Sequence, residues 1–202
     1  MSDAAIDFWF STGSTYTYLA VSRLDKVAAS EAVRFNWRPF SVRAIMREQN
    51  NVPFANKPIK SQYMWRDIER RAAMYGLEAR VPAPYPLKEF DLANRLALLG
   101  LAEGWGKAYI VASYRRWFVD GQEPGLDPNL SESLSEVGQD PARTAERAAC
   151  EAVIESYQAA TDEARRLGIF GSPTFAVGGE LFWGDDRLDD ALHWLRHGSL
   201  KT

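Results

Sequence analysis

The chain opens on a short alternation. Ile6, Phe8 and Phe10 are apolar and alternate with Asp7 and Trp9, the period of a β-strand. Gly13 breaks the pattern, and Ser14 stands where a helix N-cap belongs. Beyond it Tyr16, Ala20, Leu24 and Val27 recur at helical spacing and predict one helix. Val33, Phe35 and Trp37 alternate again, and Pro39 closes a second strand. Strand, helix and strand in so short a stretch form a βαβ unit, with a parallel pair and a right-handed crossover.

The middle of the chain carries helical periods and no strand pattern. Residues 41–49 read as a short helix ended by Asn50-Asn51-Val52-Pro53, and a polar loop follows through Asn56-Lys57-Pro58-Ile59-Lys60. Ser61 to Tyr75 is a helix stopped by Gly76. Val81-Pro82-Ala83-Pro84-Tyr85-Pro86 is stiff and extended. Leu87 to Leu101 is apolar on most of its circumference, which predicts a buried helix. Gly104-Trp105-Gly106 precedes a helix to Trp117, then a loop from Asp120 to Gly125 and a short helix from Leu130 to Val137. Asp140-Pro141 is an N-cap with proline at the first helical position, opening an Ala-rich helix to Leu167 with room for one break.

Strands return at the end. Thr174–Val177 and Glu180–Trp183 flank Gly178-Gly179, a hairpin with a two-residue turn. Asp185 or Asp186 then caps a last helix whose Leu188, Ala191, Leu192 and Leu195 share a face and which Gly198 ends. The order βαβ, helices, ββα fits one sheet with an inserted helical unit. The expected fold class is therefore α/β, a thioredoxin-like fold (βαβ…ββα) with a large inserted all-helical domain. Residues 1–40 and 168–202 form the discontinuous thioredoxin-like domain, with the helix from about 151 packing on it, and 41–150 form the insertion.

Composition narrows the function classes. The 202 residues allow one domain of ordinary size with an insertion. With 46% hydrophobic and 25% charged residues the chain reads as soluble and globular, and a net charge of −3 is too small to argue for nucleic acid or an acidic membrane surface, so no nucleic-acid partner is expected. No apolar run approaches the roughly 18 residues of a membrane span. Met1-Ser2-Asp3-Ala4-Ala5 lacks the basic start of a signal peptide. One cysteine excludes an intramolecular disulfide, and the expected compartment is the cytoplasm.

Cys150 itself reads as a small buried apolar side chain. His193 and His197 are four apart but lack a third ligand at suitable spacing, so no metal is expected. Arg66, Arg70 and Arg71 read as a solvated helix face, from which an arginine could meet a substrate carboxylate, and Arg187 as a local partner of an aspartate. Trp65, Tyr75, Tyr85, Trp105, Tyr109, Tyr114 and Trp117 are core by default; one or two of them, or Trp183, could line an aromatic pocket.

Two places carry candidate chemistry. The first turn of a helix has unpaired N–H groups and attracts anions. A thioredoxin-like enzyme places a cysteine there, whereas this chain places Ser14. The hydroxyl can cap the helix, or it can donate to a thiolate that a ligand brings. The second place is Gly171-Ser172-Pro173-Thr174, where a proline at a strand start after a glycine suits a cis peptide facing the first helix. The residue before such a proline can pair its backbone with an extended ligand.

With these residues in view, the chain resembles the 2-hydroxychromene-2-carboxylate isomerases, grouped with kappa-class glutathione transferases in the thioredoxin-like superfamily. The resemblance spans nearly the whole chain. It is carried by Asp7-Phe8-Trp9-Phe10 with Ser14-Thr15-Tyr16-Thr17-Tyr18-Leu19, Arg38-Pro39-Phe40, Asn51-Val52-Pro53, and Lys60-Ser61-Gln62-Tyr63 with Met64-Trp65-Arg66-Asp67. Phe170-Gly171-Ser172-Pro173-Thr174 and Phe182-Trp183-Gly184-Asp185-Asp186-Arg187 complete it. It implies that Ser14 activates the sulfur of glutathione, the cofactor, and that Asn51 and Lys60 contact the tripeptide. It implies further that Ser172 pairs its backbone with the cysteinyl part ahead of cis-Pro173, and that Asp185 and Asp186 hold the γ-glutamyl ammonium. A small aromatic substrate and a homodimer are also implied.

Three departures border the substrate side. Many relatives have Ser-Pro where Ser14-Thr15 stands, two prolines where Pro53-Phe54 stands, and a glycine-rich segment where Ser41-Val42-Arg43-Ala44 stands. Two rival functions remain open at this point: a kappa-type transferase or peroxidase acting on another electrophile, and a non-catalytic thioredoxin-like binding module.

Overall fold

The computed structural model describes residues 5–51, 54 and 57–201. The N-terminal Met1-Ser2-Asp3-Ala4, the Val52-Pro53 part of the asparagine motif and the Asn56 part of the polar loop lie outside the described residues. Four strands form one sheet in the order β2-β1-β3-β4. Strand β1 (Ala5–Phe10) runs parallel to β2 (Arg34–Pro39) and antiparallel to β3 (Thr174–Val177), and β3 pairs antiparallel with β4 (Glu180–Trp183).

One face of the sheet is an aromatic layer. Phe8 stacks with Phe10 at 5.2 Å and with Phe175 at 5.4 Å, and Trp37 meets both β1 rings edge-on. The opposite face is covered in part, with Asp7 and Asn36 half-buried and Arg38 exposed. Trp9, placed among the outward positions by alternation, is 1% exposed and packs on Phe40. Helices α5 (Phe90–Glu103) and α9 (Glu151–Arg166) pack against β2 and cover that side. Where helices cover the second face, as at Trp9, a strand loses the polar half of its alternation, whereas β2 keeps it at the exposed Arg34 and Arg38.

The expected first helix is two. Helix α1 (Thr15–Val21) ends at Ser22, and α2 (Leu24–Glu31) ends at Ala32 in the left-handed region. The apolar spacing runs across the break, so periodicity could not show it. Between β2 and β3 come α3 (Val42–Glu48), α4 (Pro58–Tyr75), α5, α6 (Gly106–Arg115), α7 (Asn129–Glu136), α8 (Pro141–Ala148) and α9. Helix α4 starts at Pro58 in its first turn, inside the expected loop, and ends as expected at Gly76. A single π-helical turn, Arg116–Asp120, extends α6 and buries Trp117 and Phe118.

The Asp140-Pro141 start of α8 is as the sequence predicts, with the Asp140 carboxylate accepting from the Arg143 N–H at 2.7 Å. Cys150 falls in the break before α9 and is exposed, not buried, because that break turns it out of the helix face. The hairpin turns on Gly178 and Gly179, with φ of 58° and 90°, the positive pair that a tight primed turn requires. Asp185 and Asp186 do not cap the last helix. They form a 3₁₀ turn, Asp185–Arg187, ahead of α10 (Leu188–His197), whose N-cap is Arg187.

Candidate functional site

Topology brings the two sequence signals together. Trp9 pairs with Thr174, so the chain leaving β1 and the chain entering β3 lie side by side. The Ser11–Ser14 turn therefore faces Ser172-Pro173, and the Ser172–Pro173 peptide is cis. Ser14 is the N-cap of α1 with extended backbone, yet its side chain caps no helix N–H. Its hydroxyl donates instead to the Ser172 carbonyl oxygen at 2.6 Å. The Ser172 N–H makes no hydrogen bond among the described residues.

A buried polar scaffold fixes this pairing. The Ser172 hydroxyl accepts from the Ser11 N–H at 2.8 Å and shares a hydrogen bond with the Thr17 hydroxyl at 2.9 Å. Tyr114, on α6, is fully buried and donates to both the Ser11 and Ser14 carbonyls, at 3.0 and 3.2 Å. Burial holds its phenol well above the ordinary range, so it remains a neutral donor. Asn94, on α5, accepts from the Thr12 N–H at 2.9 Å and donates to the Phe90 carbonyl at 2.9 Å. Two hydroxyls of the turn, Ser11 Oγ and Thr12 Oγ1, are buried without a partner among the described residues. Tyr114, Asn94 and Thr17 were not singled out from the sequence as site residues. Asn94 alone had a local signal, as an amide in a helix that is apolar on most of its circumference.

Helix α4 flanks α1. The Thr15 hydroxyl donates to Met64 Sδ at 3.2 Å, and the Tyr16 hydroxyl donates to Asp67 at 3.0 Å. The Gly184 N–H donates to the Pro173 carbonyl at 2.9 Å, which ties the Asp185–Arg187 turn to the same loop. Asp185 is 2% exposed, and its Oδ2 accepts from Arg71 Nε and Nη2 at 3.0 and 2.7 Å. Burial raises its carboxyl above the ordinary value although the Arg71 guanidinium pulls it down. Arg23 stacks over Tyr75 at 4.2 Å and donates to the Asp185 carbonyl at 2.5 Å. Arg71 is thus committed to Asp185, against the expectation of a solvated face. Arg66 and Arg70 do pair along the surface, with Glu69 and Asp67.

Asp186 is exposed and meets Arg187, which also pairs with Asp190, as expected of that arginine. Asn51 and Lys60 are exposed; no hydrogen bond or ion pair among the described residues ties either to Ser14 or Pro173. The Lys60 ammonium stands 5.7 Å from the Phe54 ring centre. Trp183 and Phe170 meet edge to face at 4.8 Å beside the Ser172–Pro173 loop and stay 53% and 41% exposed. The His193 and His197 rings lie 4.4 Å apart, and no third metal-ligating side chain joins them among the described residues.

The DSBA-like thioredoxin domain matches residues 5–196. The chain belongs to that family. Among curated relatives, 2-hydroxychromene-2-carboxylate isomerase of Sphingobium xenophagum is 29% identical over 186 residues, 91% of this chain and 94% of the relative. Glutathione S-transferase kappa 1 of Caenorhabditis elegans is 25% identical over 196 residues, 91% of this chain and 87% of the relative. A solved 2-hydroxychromene-2-carboxylate isomerase superposes with a TM-score of 0.83 at 25% identity, over 98% of this chain and all of that one. The names of these relatives are those of enzymes, and the solved isomerase shares its fold with this chain.

Proposed function

We propose that this protein is a glutathione-dependent isomerase acting on 2-hydroxychromene-2-carboxylate or a close aromatic relative, in aromatic catabolism. The observation that carries the reading is the Ser14 hydroxyl at the start of α1, in hydrogen-bond contact with the cis-Pro173 loop. A cysteinyl backbone pairing with Ser172 would find an unused N–H there, and its sulfur would fall beside an alcohol able to turn toward it. Those two features fit glutathione. The names of the curated isomerases and of the kappa transferase support the same cofactor and substrate class.

When bound, glutathione supplies a thiolate that adds reversibly to the conjugated double bond and leaves after rotation, so it is not consumed. Ser14 has to hold that sulfur ionised. A thiol with an ordinary pKa of about 8.5 needs roughly 2.7 kcal/mol of preferential stabilisation to shift by two units. Helix α1 has only 7 residues, so its dipole is small and the hydroxyl carries most of this. Ser14 must release the Ser172 carbonyl to do so, which frees that oxygen for the ligand's own N–H. Asp186 and the partly shared Asp185 meet the γ-glutamyl ammonium, while Asn51 and Lys60 reach the rest of the tripeptide, Lys60 at a carboxylate. Residues 1–40 and 168–202 thus hold the sulfur and the γ-glutamyl end, while the 41–150 helical unit adds Asn51 and Lys60 to the tripeptide and closes the substrate side.

The assay is turnover of 2-hydroxychromene-2-carboxylate to trans-hydroxybenzylidenepyruvate with and without glutathione. Turnover that requires glutathione, with labelled glutathione recovered unattached, is the expected result. Label retained on product would make this a kappa-type transferase instead, and no binding at millimolar glutathione would leave a non-catalytic module. A cytoplasmic homodimer is part of the proposal, and light scattering on the purified chain checks the assembly.

A further inference from the structure

We infer that Arg43 is the carboxylate anchor of the aromatic substrate; this rests on the isomerase reading above and names the group that selects its substrate. Arg43 lies in the first turn of α3, in the segment that replaces the relatives' glycine-rich stretch. It is half-buried, its guanidinium stacks over the Phe90 ring at 4.3 Å, and Nη2 donates to the Leu87 carbonyl at 2.9 Å. No carboxylate pairs with it among the described residues. The arginines expected on the substrate side are otherwise committed: Arg66 to Glu69, Arg70 to Asp67 and Arg71 to Asp185.

The surroundings match a flat aromatic acid. Phe90, beneath the guanidinium, presses against the residue before Ser14: a Cβ on Gly13 would come 2.1 Å from its Cδ2. Burial pushes the Tyr85 phenol up while the Arg43 guanidinium pulls it down, and the ring meets Phe54 and Trp65 edge to face at 5.8 and 6.0 Å. All three of those rings are half-buried, so each keeps some surface for a ligand. A guanidinium fork takes a carboxylate bidentately, and stacking on an aromatic face holds the fork in place beforehand. Leaving a half-buried cation unpaired is costly, and an arriving carboxylate offsets that cost. The carboxylate is also the charged group that the isomerisation leaves unchanged. Holding it fixes one end of the molecule while the other turns about the former double bond.

The test uses chromone-2-carboxylate, a flat acid that cannot ring-open by the same route, and uncharged chromone, with tryptophan fluorescence of the full chain as readout. The wild-type protein should bind the acid more tightly than chromone. Arg43→Gln should weaken the acid by roughly tenfold to a hundredfold, the span of one charge-assisted contact, and leave chromone within about twofold. Arg43→Lys should recover part of the loss. Equal weakening of acid and chromone, or no weakening of the acid, overturns the assignment. If Arg43→Gln fails to fold, a wild-type protein that binds acid and chromone equally overturns it instead. The isomerase reading fails separately: Arg43-dependent binding of the acid without glutathione-dependent turnover retains the anchor and removes the isomerase.

Discussion

The Ser14 hydroxyl donates to the Ser172 carbonyl oxygen at 2.6 Å across 158 residues of sequence. An N-cap serine ordinarily turns its oxygen back to its own helix. Here it does not, and the first N–H groups of α1 have no side-chain cap. Removing the hydroxyl in Ser14→Ala therefore costs the fold only about 0.5–1.5 kcal/mol, the value of one ordinary hydrogen bond. Glutathione-dependent kcat/KM should fall by roughly a hundredfold, as when one donor to a developing or resident anion is lost. Steady-state kinetics beside a denaturant melt separates the two; full turnover in Ser14→Ala removes Ser14 from the mechanism.

Tyr114 reaches the same turn from the helical segment and bonds two of its carbonyls with one phenol. Tyr114→Phe keeps the ring and deletes only that donor. The Ser11 carbonyl still accepts from the Ser14 N–H at 2.9 Å, so the expected loss of stability is modest, about 1–2 kcal/mol. A looser turn displaces Ser14 relative to the sulfur. The expected signature is a lower kcat and an alkaline shift of the pH–rate profile, with the dissociation constant of glutathione held. A melt that shifts while both kinetic quantities stay put would make Tyr114 structural only.

Two glycines near the site should respond differently to alanine. At Gly13 a Cβ would sit 2.1 Å from Phe90, a ring 2% exposed that has nowhere to move. Gly13→Ala should destabilise by about 1–3 kcal/mol, the usual cost of overpacking. At Gly171 the Cβ would meet Trp183 Nε1 at the same 2.1 Å, but that indole is 53% exposed and can turn away. Gly171→Ala should stay within about 0.5 kcal/mol of the parent. Denaturant midpoints decide it, and equal losses at both sites would count against the reasoning from exposure.

The frame of the site was legible because its signals are local. The alternation of Ile6, Phe8 and Phe10, the breaker Gly13 and the Gly178-Gly179 turn each act over a few residues, and the sheet built from them aligns Ser14 with Ser172. The scaffold was not legible because its partners are distant and its residues ordinary. Nothing around Tyr114 announces a contact with Ser11, and Arg71 looks like its neighbours Arg66 and Arg70 until the fold places Asp185 against it. Trp9 and the break at Ser22 show the same limit: burial from the second layer and a helix end without glycine or proline leave no periodic trace.

The Asp185–Arg71 pair gives a pH prediction with a definite sign. Burial raises the Asp185 carboxyl above its ordinary 3.8, and Arg71 and Arg23 only partly oppose this. The folded state then binds the Asp185 proton more tightly than the unfolded chain does. Its contribution to stability is full below the ordinary carboxylate pKa and is lost as pH rises through the raised folded value. Asp185→Asn keeps the shape and does not titrate at that position. The unfolding free energy of the parent minus that of the variant should therefore decrease between about pH 3 and pH 6, with the other titrations cancelling in the difference. A difference that grows with pH would mean that the Arg71 ion pair outweighs burial. The carboxylate would then be held down by its partner, with the Asp185–Arg71 contact a net support of the folded state at neutral pH.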